Sequence, residues 1–202
     1  MDRALYKAVN RWADRTSFAH GFFRMYAKDG IVIFAVLLVV GWWIGRAPAA
    51  EPGVVSGVGA GVASAVWAGA GALIALAINQ PIGSSIARTR PYNVIPNVHL
   101  LIDKTKDFTF TSDHATIVGG VAAGLWFVNR RLGVVTAVLA LLMAFARVYV
   151  GAHYPTDVIA GLALGAIVTV ALRGPALKLL MLVAGRLEKS PLRPLVTSAA
   201  KA

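Results

Sequence analysis

Five apolar stretches dominate the middle of the chain, approximately Gly30 to Ile44, Val54 to Ile78, Ala115 to Val128, Leu132 to Val150 and Val158 to Leu172, and Arg147 is the one Asp, Glu, Lys, Arg or His within them. A helix crosses a hydrocarbon core in about 20 residues, with a spread of roughly 17 to 25. The first, third and fifth stretches are short of that length, so their ends extend into flanking turns or rely on side chains such as Arg130 and Arg131 reaching to the headgroups. With 57% hydrophobic and only 14% charged residues, a chain of 202 residues carries more apolar surface than a water-soluble core of that size can enclose. The expected fold is all-α, a polytopic membrane helical bundle of about five to six transmembrane helices. Glycines at 57, 59, 61, 69, 71, 161 and 165 point to close helix packing in lipid.

Composition divides the chain into three segments. In residues 1–28, Leu5, Val9 and Trp12 recur at helical spacing against Arg3, Lys7, Arg11 and Arg15, the pattern of an amphipathic helix lying in the interface. Charges continue to Lys28 and no small-residue cleavage site follows a short apolar run, so a cleaved signal peptide is not expected and the N-terminus is read as retained. Residues 29–174 form the transmembrane segment. In residues 175–202, Gly174-Pro175 breaks the helix, and Ala176 to Leu187 reads as a further interfacial helix before a frayed tail.

Cysteine is absent, which excludes disulfides and thiol chemistry. The net charge of +11 fits topology-setting and anionic lipid better than nucleic acid, because no soluble face interleaves basic with aromatic residues. The expected partners are the bilayer and a membrane lipid substrate, with no nucleic acid.

The ionisable residues near the span ends fall into three clusters: Arg88-Thr89-Arg90-Pro91-Tyr92, Thr111-Ser112-Asp113-His114, and Arg147 with His153 and Asp157. The second span ends at the first cluster, the third begins at the second cluster, and the fourth ends at the third. Alternating span directions therefore bring all three to one membrane face. The connection from Asn79 to His114, with Pro81, Pro91, Pro96, Asp103, Lys104, Lys106 and Asp107, is long and polar, as functional connections often are.

Arginine offers a planar fork of donors and a permanent charge, so Arg90, Arg147 and Arg88 at one face suit a tetrahedral oxyanion such as phosphate. Thr111, Ser112 and Asp113 lie at the start of the third span, where helix N–H groups favour an anion. Two histidines invite a division of labour, one attacking phosphorus and the other protonating the departing oxygen. Asp157, four residues after His153, is placed to hold the imidazole by its second nitrogen. Two titrating histidines predict a rate that varies between pH 5 and 9.

Each residue has a plainer reading. A lone Arg or His at a span end is commonly an interface anchor, Asp157 and Asp113 suit the first turn of a helix, and Tyr149 and Tyr154 suit an aromatic belt. His20 and His99 belong to no cluster. The joint pattern favours a site, and the neighbouring arginines disfavour a divalent cation, so neither a metal nor another cofactor is expected.

The clusters resemble the signature of the type 2 phosphatidic acid phosphatase superfamily: Lys-x6-Arg-Pro, Pro-Ser-Gly-His, and Ser-Arg-x5-His-x3-Asp. Here the third motif reads Ala146-Arg147, five residues, His153, three residues, Asp157. The second reads Thr111-Ser112-Asp113-His114, and its aspartate is similar to the bacterial undecaprenyl-diphosphatase branch. The first keeps Arg90-Pro91-Tyr92 but has Gly83 where the lysine stands, which leaves either Arg88 as the replacement charge or a weaker hold on phosphate. The resemblance covers roughly Gln80 to Asp157. It implies a metal-independent lipid phosphatase working through a phosphohistidine at His153, with His114 protonating the leaving group and Arg90 and Arg147 holding phosphate. Its implied substrate is undecaprenyl diphosphate, ahead of phosphatidate, phosphatidylglycerol phosphate or lipid A phosphate. It also implies a site on the outer face of a bacterial plasma membrane. Lys and Arg counts of eight on the site side and nine opposite leave orientation undecided. A transporter and a catalytically dead scaffold are the other readings; nearly charge-free span middles and the lack of an inverted repeat disfavour transport.

Overall fold

Helix boundaries follow short-range signals. Asn129 accepts from the Leu132 amide at 2.9 Å and starts α7 (Arg130–Tyr149). Ser112 accepts from the Ala115 amide at 3.5 Å at the start of α6 (Asp113–Trp126). Pro155 occupies the first turn of α8 (Pro155–Ala171), where its missing N–H has no helical partner to lose. In the computed structural model, which describes residues 1–46 and 59–196, the remaining helices are α1 (Asp2–Arg15), α2 (His20–Asp29), α3 (Ile31–Gly45), α4 (Ala60–Ile86), α5 (Pro91–Val94) and α9 (Arg173–Glu188). Short 3₁₀ turns stand at Ser17–Ala19 and Arg193–Leu195, and no strand occurs among the described residues.

The protein is an all-α membrane helical bundle with α6 at its centre, against α4, α7 and α8. Glycines make that centre possible. A Cβ on Gly119 would lie 2.5 Å from the Leu162 carbonyl of α8, and one on Gly165 would meet the Thr116 carbonyl of α6. Backbones this close gain dispersion contacts where lipid offers no hydrophobic driving force between helices. Outside, Val36, Leu73, Val138, Leu141 and Ile167 are exposed. That apolar exterior is suited to lipid and unsuited to water.

By length and apolarity, α7 and α4 with its continuation to Val94 each suffice to cross a membrane. Two further pairs qualify jointly, Ser17–Asp29 with α3 and α8 with α9, bent by 58° and 55°. Among the described residues up to four spans thus pass this test, against the expected five to six. The difference lies largely in α6, whose 14 residues reach about 21 Å at 1.5 Å per residue. Helices α3, α4, α7 and α8 surround it, so it need not match the lipid thickness.

Several boundaries differ from expectation. The second span was read from Val54 to Ile78; its first residues lie outside the described ones, and α4 continues through Pro81 to Ile86. The segment 1–28 is broken at Thr16 into α1 and α2. On α1 the buried residues are Tyr6, Asn10 and Ala13, while Leu5 and Trp12 are exposed. The inward face is therefore rotated from the apolar stripe, because α1 packs on α7 and α8 through polar side chains. The Tyr6 hydroxyl donates to the Gly151 carbonyl at 3.0 Å, and Asn10 pairs with the His99 backbone through both its amide N and O. Tyr149 and Tyr154 are buried rather than belted at an interface. Tyr149 hydrogen-bonds the Thr16 hydroxyl at 2.7 Å.

Candidate active site

Four helix ends meet at one end of the bundle: the last turns of α4, the first of α6, the last of α7 and the first of α8. The ends of α4, α6 and α7, the α7–α8 loop and the 87–112 connection line a cavity of about 270 Å³, whose wall includes His153, His114, Arg90, Arg147, Asp107 and Asp113. Alternating span directions produce this convergence, and the three motif clusters share the cavity as expected.

His153 sits in the loop between α7 and α8 and is 2% exposed. Its Nδ1 lies 2.9 Å from the Thr109 carbonyl, which can only accept. The hydrogen-bond network therefore assigns the proton to Nδ1 and leaves a lone pair on Nε2. That Nε2 lies 3.3 Å from Arg90 Nη1 and 3.3 Å from Arg147 Nη2. Burial first, then the guanidinium charges of Arg147 and Arg90, push His153 well below the ordinary imidazole value of 6.5, against the opposing pull of the Thr109 carbonyl. The neutral ring is thus the form present at neutral pH. The unfolded chain binds this proton more tightly, so His153 contributes a loss of stability as pH falls below 6.5.

For the same reason the acid limb of kcat/KM set by His153 falls below pH 6.5. Replacing Arg90 by Gln removes one repelling charge and favours protonation, so the limb moves upward. A pH profile with a soluble short-chain substrate reads this; a limb that stays in place contradicts the assignment.

Asp157 departs from its expected direct contact. Its Oδ2 stands 3.9 Å from His153 Nδ1 and instead accepts from Thr109 Oγ1 at 2.6 Å and from the Tyr154 amide at 2.9 Å. Thr109 stands between carboxylate and ring, its own Oγ1 3.2 Å from Nδ1. Asp157 serves the first turn of α8 and the histidine network together.

Arg147 is 7% exposed; its Nη1 donates to the Ala27 carbonyl at 3.0 Å and its buried Nε has no partner. Arg90 donates through Nε and Nη2 to both Asp107 oxygens, at 3.1 and 2.8 Å, and through Nη1 to the Ala152 carbonyl at 3.2 Å. Burial works to raise the Asp107 carboxyl, but hydrogen bonds from Thr105 and Arg90 hold it below 3.8. His114 begins α6 beside the Lys28 backbone.

Two expected phosphate ligands lie elsewhere. Arg88 is absent from the cavity wall; its guanidinium binds Asp157, Asp2 and Thr156 and covers the Tyr154 ring at 4.0 Å. Ser112 is fully buried and spends its oxygen on capping α6. Thr111 and Asp113 do line the cavity, yet the Thr111 hydroxyl donates to Asn79 Oδ1, and Asp113 Oδ1 accepts from Asn79 at 2.7 Å and Gln80 at 3.2 Å. As an anion Asp113 repels phosphate rather than binding it. His20 and His99 pack with their rings tilted and centroids 4.9 Å apart, and His99 Nδ1 lies 3.1 Å from Asp14.

Asn79, Gln80, Thr109 and Asp107 were not picked out from sequence. Asn79 and Gln80 carried a signal, as amides at the end of an apolar span. Thr109 carried none, since its contribution is partly a backbone carbonyl.

Gly83 also lines the cavity, and a Cβ there would lie 2.8 Å from the Phe110 carbonyl. A lysine at this position therefore has no room without displacing backbone. Gly83→Lys is expected to destabilise the protein by about 1–3 kcal/mol and to leave activity no higher; a thermal midpoint with a rate assay checks both.

Residues 64–174, more than half of the chain, match the PAP2 superfamily model. Undecaprenyl-diphosphatase BcrC of Bacillus subtilis (strain 168) is 27% identical over 168 residues, 83% of this chain and 80% of that protein. The decaprenylphosphoryl-5-phosphoribose phosphatase of Mycobacterium tuberculosis (strain H37Rv) is 38% identical over 102 residues, 50% of this chain and 55% of its own. The crystal structure of Aquifex aeolicus LpxE superposes with a TM-score of 0.62 at 20% identity, covering 88% of this chain and 94% of that one. With the family model spanning α4 through α8 and the bundle shared with a solved relative, the chain belongs to the PAP2 superfamily and is a membrane lipid phosphatase.

Proposed function

We propose that the protein hydrolyses undecaprenyl diphosphate to undecaprenyl phosphate and inorganic phosphate through a phosphohistidine at His153. The observation that carries this reading is the Nε2 of a neutral His153, set between two guanidiniums on the wall of one cavity that also holds His114. Oxygens of the terminal phosphate accept from Arg90 and Arg147, where Arg147 Nε has a donor to spare. The Nε2 lone pair attacks phosphorus and forms a P–N bond as the bridging P–O bond breaks. His114 gives its proton to the departing lipid phosphate oxygen. Positive charge developing on the ring is stabilised by the Thr109 carbonyl and by Asp157 beyond Thr109. Water then attacks phosphorus, His114 takes its proton, and the P–N bond breaks to return the lone pair to Nε2. No step calls on a metal or cofactor.

The polyprenyl diphosphate is favoured because a relative aligned over most of this chain is named for undecaprenyl diphosphate and another for a decaprenyl-linked phosphate. A site at helix ends suits a lipid whose phosphates lie in the headgroup layer while its tail remains in the bilayer. The proposed setting is a bacterial plasma membrane with the site facing outward, a placement that rests on the family resemblance. Because the chain has no cysteine, a single Lys104→Cys reports orientation. Labelling by a membrane-impermeant maleimide in intact spheroplasts is expected, and labelling only after lysis would reverse the topology.

Phosphate release by purified protein in detergent with EDTA tests the reading, comparing undecaprenyl diphosphate, phosphatidate and phosphatidylglycerol phosphate. Selective, EDTA-resistant release from the diphosphate is expected. Preference for either glycerolipid reassigns the substrate, and no release from any of the three favours a scaffold or transporter.

A further inference from the structure

We infer that Asp2 is a positioning residue for the reaction, acting on His153 through Arg88, Asp157 and Thr109, so that α1 completes the active site. The inference rests on the phosphatase reading, with His153 as nucleophile. Asp2 Oδ2 accepts from Arg88 Nη2 at 2.5 Å and from Thr156 Oγ1 at 2.6 Å, and Oδ1 accepts from the Thr156 amide at 3.1 Å. Arg88 Nη1 in turn donates to Asp157 Oδ1 at 2.6 Å and to Thr156 Oγ1 at 2.8 Å. Asp157 is fully buried, and its other oxygen holds Thr109, whose carbonyl fixes the His153 tautomer. Four side chains thus connect the start of the chain to the attacking ring.

A buried carboxylate needs a fixed counter-charge, and among the described residues Arg88 is the Lys or Arg side chain that pairs with Asp157. The Arg88 side chain is 29% exposed, so contact with Asp157 alone leaves one edge of its fork free to turn toward water. Asp2 grips that second edge at Nη2, Thr156 shares Nη1 with Asp157 and donates to Asp2, and the Tyr154 ring supports the guanidinium face at 4.0 Å. The first turn of α1 is also a favourable place for a carboxylate, whatever its partners. Here, however, Asp2 makes no cap within α1 and directs both oxygens at the site network. Together with the Tyr6 contact to Gly151, this makes α1 a brace on the loop that carries His153. It also accounts for the absence of Arg88 from the cavity: Arg88 aligns the histidine network, and the cavity guanidiniums belong to Arg90 and Arg147.

Asp2→Asn tests the inference in the full-length protein, beside Asp2→Glu and Tyr6→Phe. Tyr6→Phe loosens α1 through its Gly151 contact without touching Arg88. Asp2→Asn is expected to lower kcat about ten- to a hundredfold, the scale of small misplacements at a reacting centre. KM and inhibition by inorganic phosphate stay within about twofold, since no phosphate contact is lost. The acid limb of kcat/KM moves to lower pH, because loss of the Asp2 charge leaves Arg88, with Asp157 as its one remaining carboxylate, less compensated beside Arg90, Arg147 and His114 around His153. Asp2→Glu recovers part of the rate. Unchanged kcat and pH profile in Asp2→Asn, with a thermal midpoint lowered as in Tyr6→Phe, would reduce Asp2 to a docking contact and overturn the inference alone. A rise in KM with weakened phosphate inhibition would overturn it by returning Arg88 to substrate binding. Wild-type protein that releases no phosphate overturns the phosphatase reading and this inference with it.

Discussion

His153→Ala is expected to lower kcat by on the order of 10⁴-fold or more, as removal of a covalent nucleophile does in other enzymes. The loss falls on chemistry, since Arg90 and Arg147 remain to hold phosphate and each lies 3.3 Å from the Nε2 that is removed. Lipid binding, measured as protection against thermal unfolding, should persist. His153→Gln keeps a polar group of similar reach and should be as inactive, which separates loss of the nucleophile from loss of packing at a side chain 2% exposed. Rapid acid-free quenching with a terminally labelled diphosphate should trap labelled protein in wild type and none in either variant, because a phosphoramidate survives base and is lost in acid. Turnover by His153→Ala within tenfold of wild type would sink the mechanism.

The second large effect belongs to His114. A general acid contributes about 10² to 10⁴-fold, and more when the leaving group is poor. The diphosphate departs as a lipid phosphate, already a weak base, whereas phosphatidate departs as an alkoxide unless it is protonated. His114→Ala should therefore impair phosphatidate hydrolysis far more than diphosphate hydrolysis. The ratio of the two kcat/KM values, measured on wild type and variant in the same detergent, reads the proton transfer directly. Equal losses on both substrates would place His114 in binding or structure instead of acid catalysis. Its position at the start of α6, on the cavity wall shared with His153, is what motivates the comparison.

Much of this architecture was legible because membrane helices are written in long apolar runs, and because alternating runs confine their ends to two faces. That logic places His114, Arg90, Arg147 and His153 at one membrane face, and packing gathers them on the wall of one cavity. It failed where a side chain's direction mattered more than its address. Arg88 is two residues from Arg90, yet α4 ends at Ala87 in a left-handed turn with φ of 48°, and Arg88 points to Asp157 while Arg90 enters the cavity. Ser112 adjoins Asp113 and His114, but the cap it makes on α6 turns its oxygen away from the site.

The sequence by itself determined the class of fold and the chemistry available to it. Apolar length and charge-poor span middles demand a bilayer, and the spacing from Arg147 through His153 to Asp157 sets those groups at successive helix ends. Tertiary structure alone decided how they divide the work. Thr109 rather than Asp157 meets His153 Nδ1, and Asp2 reaches Arg88 from the far end of the chain. The physical reason is range: periodicity and spacing act over a few turns of one helix, whereas these contacts join residues 44 and 86 positions apart and exist only once helices pack.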